Sequence, residues 1–157
     1  EFFDLTEMVG SATAAARGID NTPTPEAIVA LRALVTNVLD PLRRWLGVPV
    51  TISSGYRSPA LNAAVDGAAD SQHVRGEGVD IKVGGLNSPQ LAAKILKARE
   101  GGILPGVGWD QMVHYKLGYK GHVHLSWNAR TGAQRGLVTY SPAKGVYQQG
   151  VLPQASA

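Results

Sequence analysis

The chain has 157 residues, 44% of them apolar and 17% charged, a composition that closes one hydrophobic core and argues against wholesale disorder. Its 15 basic and 12 acidic side chains leave a net charge of +3, a modest positive field suited to an anionic polymer such as cell wall, but no Lys/Arg-rich block with interleaved aromatics points to nucleic acid. The absence of cysteine excludes disulfides, thiolate metal sites and cysteine nucleophiles together, and no apolar run approaches the ~20 residues of a membrane helix, so membrane insertion is not expected.

The start, Glu1-Phe2-Phe3-Asp4, shows neither a signal-peptide pattern nor an initiator Met, which leaves room for a trimmed leader or a further domain. Thr24-Pro25-Glu26 predicts a helix start, with Thr24 as N-cap and Pro25 in the first turn. Ile28, Leu31, Leu34, Val35, Val38 and Leu42 then recur at three- and four-residue steps, one apolar stripe running to about residue 45. Pro41 predicts either a kink or a restart capped by Asp40. Val48 to Ser53 reads as the first strand, and Ser58-Pro59 opens a short helix that ends near Gly67. Asp66 to Gly78 reads as loop and Val79 to Val83 as the second strand. Ser88-Pro89 caps a helix that ends at Gly101-Gly102.

Three apolar runs follow, around Ile103 to Trp109, Gln111 to Tyr115 and His122 to Trp127, with turn residues between them. Helices early and strands late predict an α+β domain on an antiparallel sheet. The expectation is a single domain over residues 1–147 and a poorly ordered tail over 148–157.

Four histidines stand at positions 73, 114, 122 and 124. Alternate side chains of a strand share a face, so His122 and His124 can project toward one site. Upstream, Ser71-Gln72-His73-Val74-Arg75-Gly76-Glu77-Gly78-Val79-Asp80 places a His and an Asp around two glycines that allow a tight path. With His124 these make three ligands and one open position, the arrangement of a catalytic zinc site. Spacing alone leaves the blander reading open, in which the histidines are hydrogen-bonded structural residues and Asp80 caps a turn. His114 reads as an ordinary edge-strand residue, Glu77 as solvent-facing, and Trp109 and Trp127 as core.

The pattern Ser71-x-His73-x-x-Gly76-x-Gly78-x-Asp80 with His122-x-His124 resembles the signature of the zinc D-Ala-D-Ala carboxypeptidase family, which is grouped with lysostaphin-type peptidases and the Hedgehog signalling domain. Ser53-Ser54-Gly55-Tyr56-Arg57-Ser58, the helix of Asn62, Asp110-Gln111 and Gly18-Ile19-Asp20-Asn21 extend the resemblance from about Phe3 to Trp127. The resemblance implies a Hedgehog/DD-peptidase-like fold and one Zn2+ per chain held by His73, Asp80 and His124. It makes Arg57 the cation beside the substrate carbonyl and has Tyr56, Ser71 and Gln72 line the substrate cleft.

The small position before the zinc aspartate, usually Ala in the family, is Gly78 here, a change expected to be harmless. Many relatives carry a carboxylate where this chain has Gly121, which assigns the general base to His122, with Tyr115 and His114 as further candidates. The implied activity is hydrolysis of peptidoglycan stem peptides, as a carboxypeptidase or an endolysin-like endopeptidase, by a monomer in the periplasm, at the cell surface or in a phage particle. The alternative is a zinc-containing module of the same fold that binds cell-wall peptide or a partner without turnover.

Overall fold

The computed structural model describes residues 1–104 and 107–150. Its helices are α1 (Leu5–Val9), α2 (Ala12–Arg17), α3 (Pro25–Leu34), α4 (Asp40–Leu46), α5 (Pro59–Ala64) and α6 (Ser88–Glu100). Its strands are β1 (Val50–Ser54), β2 (Gly78–Val83), β3 (Gln111–Tyr115), β4 (Val123–Ser126), β5 (Leu137–Ala143) and β6 (Val146–Gln149). They form one sheet in the order β1-β2-β4-β3-β5-β6, antiparallel except for the parallel pair β3–β5. The α+β architecture expected from the sequence is the one observed. Among the described residues no helix is long and apolar enough to cross a membrane.

Period two divides the sheet into a core face and a site face. Val79, Ile81 and Val83 of β2, Met112 of β3, and Val123 and Leu125 of β4 join Leu31, Leu34, Leu39, Leu91 and Ile95 in one buried cluster. Each fully buried aliphatic side chain of that kind contributes roughly 1.5–3 kcal/mol. The intervening positions, Asp80 of β2 and His124 of β4, point to the opposite face and stand directly across the ladder from one another.

Local chemistry explains the helix boundaries. Thr24 Oγ1 accepts the Ala27 N–H at 3.2 Å and Ser58 Oγ accepts that of Leu61 at 3.3 Å, as the cap-plus-proline signals predict. For α6 the cap is one residue earlier, where Asn87 and Gln90 form a capping box. Ser88 Oγ instead accepts the Tyr115 N–H at 2.9 Å, fastening α6 to β3. Pro41 neither breaks the helix nor lets Asp40 restart it. Val35–Leu39 widens into a π turn, in which the Asp40 N–H reaches back to Val35 O, and this accommodates a residue without an N–H.

Two expectations from the sequence need correction. Ile103 and Leu104, and Val107 to Trp109, carry no strand, and the two residues between them lie outside the described set. The polar, glycine-rich stretch after Ala129 supplies β5 and β6, because pairing with β3 provides order that its own composition does not signal. Gln148 and Gln149, expected in the tail, are paired with Tyr140 and Thr139, whereas residues 151–157 lie outside the described set.

Candidate metal centre

His73 sits in a tight 3-10 turn, Gln72–Arg75, that ends at Gly76 with φ 71°. A side chain at Gly76 would be strained by that angle, and its Cβ would fall 2.5 Å from Ala27 O. The turn is sewn to the end of β1, where the Arg57 N–H donates to His73 O at 3.2 Å. A bulge between Ile52 and Ser54 marks this end of the strand, a common device next to functional sites.

His73, Asp80 and His124 come together, at 5%, 5% and 8% exposure. Asp80 Oδ1 lies 3.3 Å from His73 Nε2 and 2.9 Å from His124 Nδ1. The His73 Nδ1–H donates to the Gly55 carbonyl at 2.7 Å, since a carbonyl only accepts, and Nε2 is the nitrogen turned toward Asp80. The Nε2 of His124 faces Gln72 Oε1 at 2.9 Å, which directs its Nδ1 to the same point. Two imidazole nitrogens and a carboxylate oxygen converging in a buried space can hold a cation between them. The donor set therefore fits a metal ion, with one oxygen and two nitrogen ligands.

The electrostatics agree. Burial pushes the Asp80 carboxyl up, but the His73 and His124 imidazoles beside it overcome that and hold the group well below the usual carboxylate range. Burial draws the His124 imidazole down, against the pull of Asp80.

Asp80 divides its two oxygens. Oδ1 faces His73 and His124, while Oδ2 accepts from Arg57 Nη2 at 3.1 Å and lies 3.7 Å from His122 Nε2. The Arg57 Nε donates to Ser54 Oγ at 2.9 Å, so the guanidinium is fixed from two sides. His122 thus reaches the centre from the Oδ2 side and stands outside the converging trio. Its Nε2 is buried with no hydrogen-bond partner among the described residues. Burial lowers its pKa to about 4, opposed by Asp80, so the ring is neutral at pH 7.

Two cavities share Arg57 and Asp80 in their walls. A cleft of about 880 Å³ is bordered by Ser71, Gln72, His73, Asp80, Tyr115 and His124. A smaller one of about 520 Å³ is bordered by Arg57, Asp80, Lys82 and His122, with Ser11, Thr13 and Ser53. Ser71 and Gln72 thus lie on the wall of the larger cavity. Tyr56 touches the smaller cavity, but at 3% exposure it belongs to the core and has little surface to offer a substrate.

Other expectations change. Glu77 is buried at 2% exposure and paired with Arg75 Nε at 2.7 Å and Arg130 Nε at 3.1 Å, because the turn at Gly76 folds it under the loop. His114 is not at an edge: β3 lies between β4 and β5, and His114 is fully buried against Tyr140. Trp109 is fully buried and Trp127 packs partly buried against the core, as expected. Gly78 has a tighter role than the sequence suggests, since a Cβ there would meet His124 Cε1 at 2.8 Å and Gln72 Cβ at 3.0 Å.

Sequence reasoning missed two structural supports. The Asn21 side chain donates to Val9 O and Tyr56 O and accepts from the Ser58 N–H at 2.7, 3.2 and 2.7 Å. Arg135 clamps Asp110, with Nε on Oδ1 at 2.7 Å and Nη2 on Oδ2 at 2.5 Å. Asp110 had a family signal, while Arg135 lies in a stretch without any local pattern.

The family model described as Peptidase M15 matches residues 1–116. The match holds Arg57, His73, Asp80 and strands β1 to β3, and stops before β4 with His124. No curated protein matches the chain. A match over 116 of 157 residues, joined to a buried His-Asp-His cluster able to hold a metal ion, identifies the chain as a member of the Peptidase M15 family of zinc D-Ala-D-Ala carboxypeptidase-like peptidases.

Proposed function

We propose that the protein is a zinc peptidase of peptidoglycan stem peptides, acting as a monomer at the cell wall, with His73, Asp80 and His124 as the ligands of one zinc. The observation that carries this reading is the convergence of three buried ligand atoms on the wall of a cleft of about 880 Å³. Zinc held there supplies a Lewis acid for a peptide carbonyl and acidifies water.

The chain's own residues supply the rest. Arg57, fixed by Ser54 and Asp80, places a permanent positive charge beside the ligands, where negative charge develops on a scissile carbonyl. His122, neutral with an unpartnered Nε2, is the group able to take a proton on the Oδ2 side of Asp80. The net positive charge favours approach to an anionic wall.

Zinc-loaded protein is expected to release new amino groups from purified peptidoglycan, and mass spectrometry of defined muropeptides would name the bond. Intact products from every wall preparation and stem peptide would overturn the proposal. One observation favours a second reading, a zinc module that binds without turnover. Position 121 has room for a side chain, with Lys82 Cε the nearest atom at 3.9 Å, yet holds no carboxylate, and His122 is a weak base. Stem-peptide binding without cleavage would select that reading.

A further inference from the structure

Every hydrogen bond from Arg135 to His124 has only one possible direction. Arg135 only donates, and its two contacts saturate the inner edge of Asp110. Asp110 is buried at 3% exposure. The Arg135 hydrogen bond, working against burial, keeps its carboxyl low, so it is ionised at neutral pH and only accepts. The Gln72 amide, 3.0 Å away, must therefore turn its NH2 to Asp110 Oδ2. Its carbonyl oxygen is then left for His124 Nε2 at 2.9 Å. An amide oxygen only accepts, so His124 carries its hydrogen on Nε2 and keeps the Nδ1 lone pair for the shared point near Asp80.

From this geometry we propose that Gln72 is a positioning residue that fixes the tautomer of His124, with Asp110 and Arg135 setting the direction of its amide. The proposal rests on the reading of His124 as a metal ligand. Reversing the His124 tautomer would require the amide to flip, setting two acceptor oxygens 3.0 Å apart at Asp110. The glycine at 78 lets this assembly close, since a Cβ there would press on both Gln72 and His124. Partners of a ligand histidine's second nitrogen commonly account for 10- to 100-fold in metal affinity, and here that partner is oriented from a surface arginine.

The test uses the full chain, zinc competition against a chromophoric chelator, and nitrogen-15 NMR of the imidazoles in metal-free protein at pH 8. Gln72→Met is expected to weaken zinc binding about 10- to 100-fold and to move His124 from one tautomer to a mixture. Arg135→Gln is expected to shift both readouts the same way by less, and Arg135→Lys to restore part of the loss. Because the Arg135 side chain is 56% exposed, these variants remain decisive if Gln72→Met does not fold. Zinc affinity within about twofold of the parent, with His124 still protonated on Nε2, overturns the proposal. Neither readout involves turnover. A protein that binds zinc in this way but leaves stem peptides intact refutes the peptidase reading alone, and one that cleaves them while Gln72→Met keeps its affinity refutes this inference alone.

Discussion

His73 and Gly55, 18 residues apart, are joined by a 2.7 Å hydrogen bond from Nδ1 to the glycine carbonyl, so the ligand's orientation is set by the backbone at the end of β1. A Cβ at Gly55 would fall 2.1 Å from Met8 O, a clash with main chain that only a backbone shift relieves. Gly55→Ala is expected to cost about 1–3 kcal/mol and to weaken zinc binding by misplacing the acceptor of His73. Thermal melts with and without zinc check both effects, and a variant with parental values contradicts the coupling.

The three converging ligands and His122 should separate cleanly by substitution. His73→Ala, Asp80→Asn and His124→Ala are each expected to lose more zinc affinity than the ~100-fold attached to supporting residues. His122→Ala is expected to keep its zinc and lose about 10²- to 10⁴-fold in turnover, the range for a general base. Elemental analysis beside a stem-peptide assay reads the two losses independently. Full turnover in His122→Ala removes the residue from the mechanism.

Chelation should lower stability, because the ligands stand on two paired strands and a turn. Zinc at 100 times its dissociation constant is expected to add about 2.7 kcal/mol, visible as a melting temperature that rises with zinc. His124→Ala should melt at one temperature whether or not zinc is added.

Acid should act partly through Asp110. Its folded carboxyl is lowered mainly by the hydrogen bond from Arg135, so its contribution is fully present above the ordinary carboxyl value of 3.8 and fades as pH falls below it through the lower folded pKa. Urea unfolding of parent and Arg135→Gln across this range should give a stability difference that is constant above that value and shrinks toward lower pH. A difference that grows with acidity would reverse the assignment.

Asn21→Ala removes three hydrogen bonds that tie α1, the end of β1 and the start of α5. The expected cost is roughly 2–4 kcal/mol, at about 1 kcal/mol or more per bond lost. Chemical denaturation measures it, and a loss below ~0.5 kcal/mol, ordinary for a surface change, would assign Asn21 no structural part.

The trio of His73, Asp80 and His124 was legible through the family resemblance carried by a glycine-bounded turn, the early part of a strand and a His-x-His run, since spacing alone left a purely structural reading open. The alternation rule let His122 and His124 share a face, but which face lies opposite the core is seen only in the sheet. Glu77 was misread because that rule assumes an extended chain, and the left-handed Gly76 next to it breaks the assumption. His114 was misread because edge or interior position depends on strand order, which local sequence does not encode. β5 and β6 were illegible for a related reason: their order comes from pairing with distant residues. Arg135, 25 residues beyond Asp110, is the same problem in a single side chain.

The strand order has a temporal consequence. β4 emerges from the ribosome after β1, β2 and β3, yet lies between β2 and β3. Without β4 no strand would lie between β2 and β3, and the part of the chain matched by the family model ends at residue 116, before that strand. His124 arrives with that strand. The strand that joins β2 to β3 is therefore also the strand that completes the cluster able to hold a metal ion.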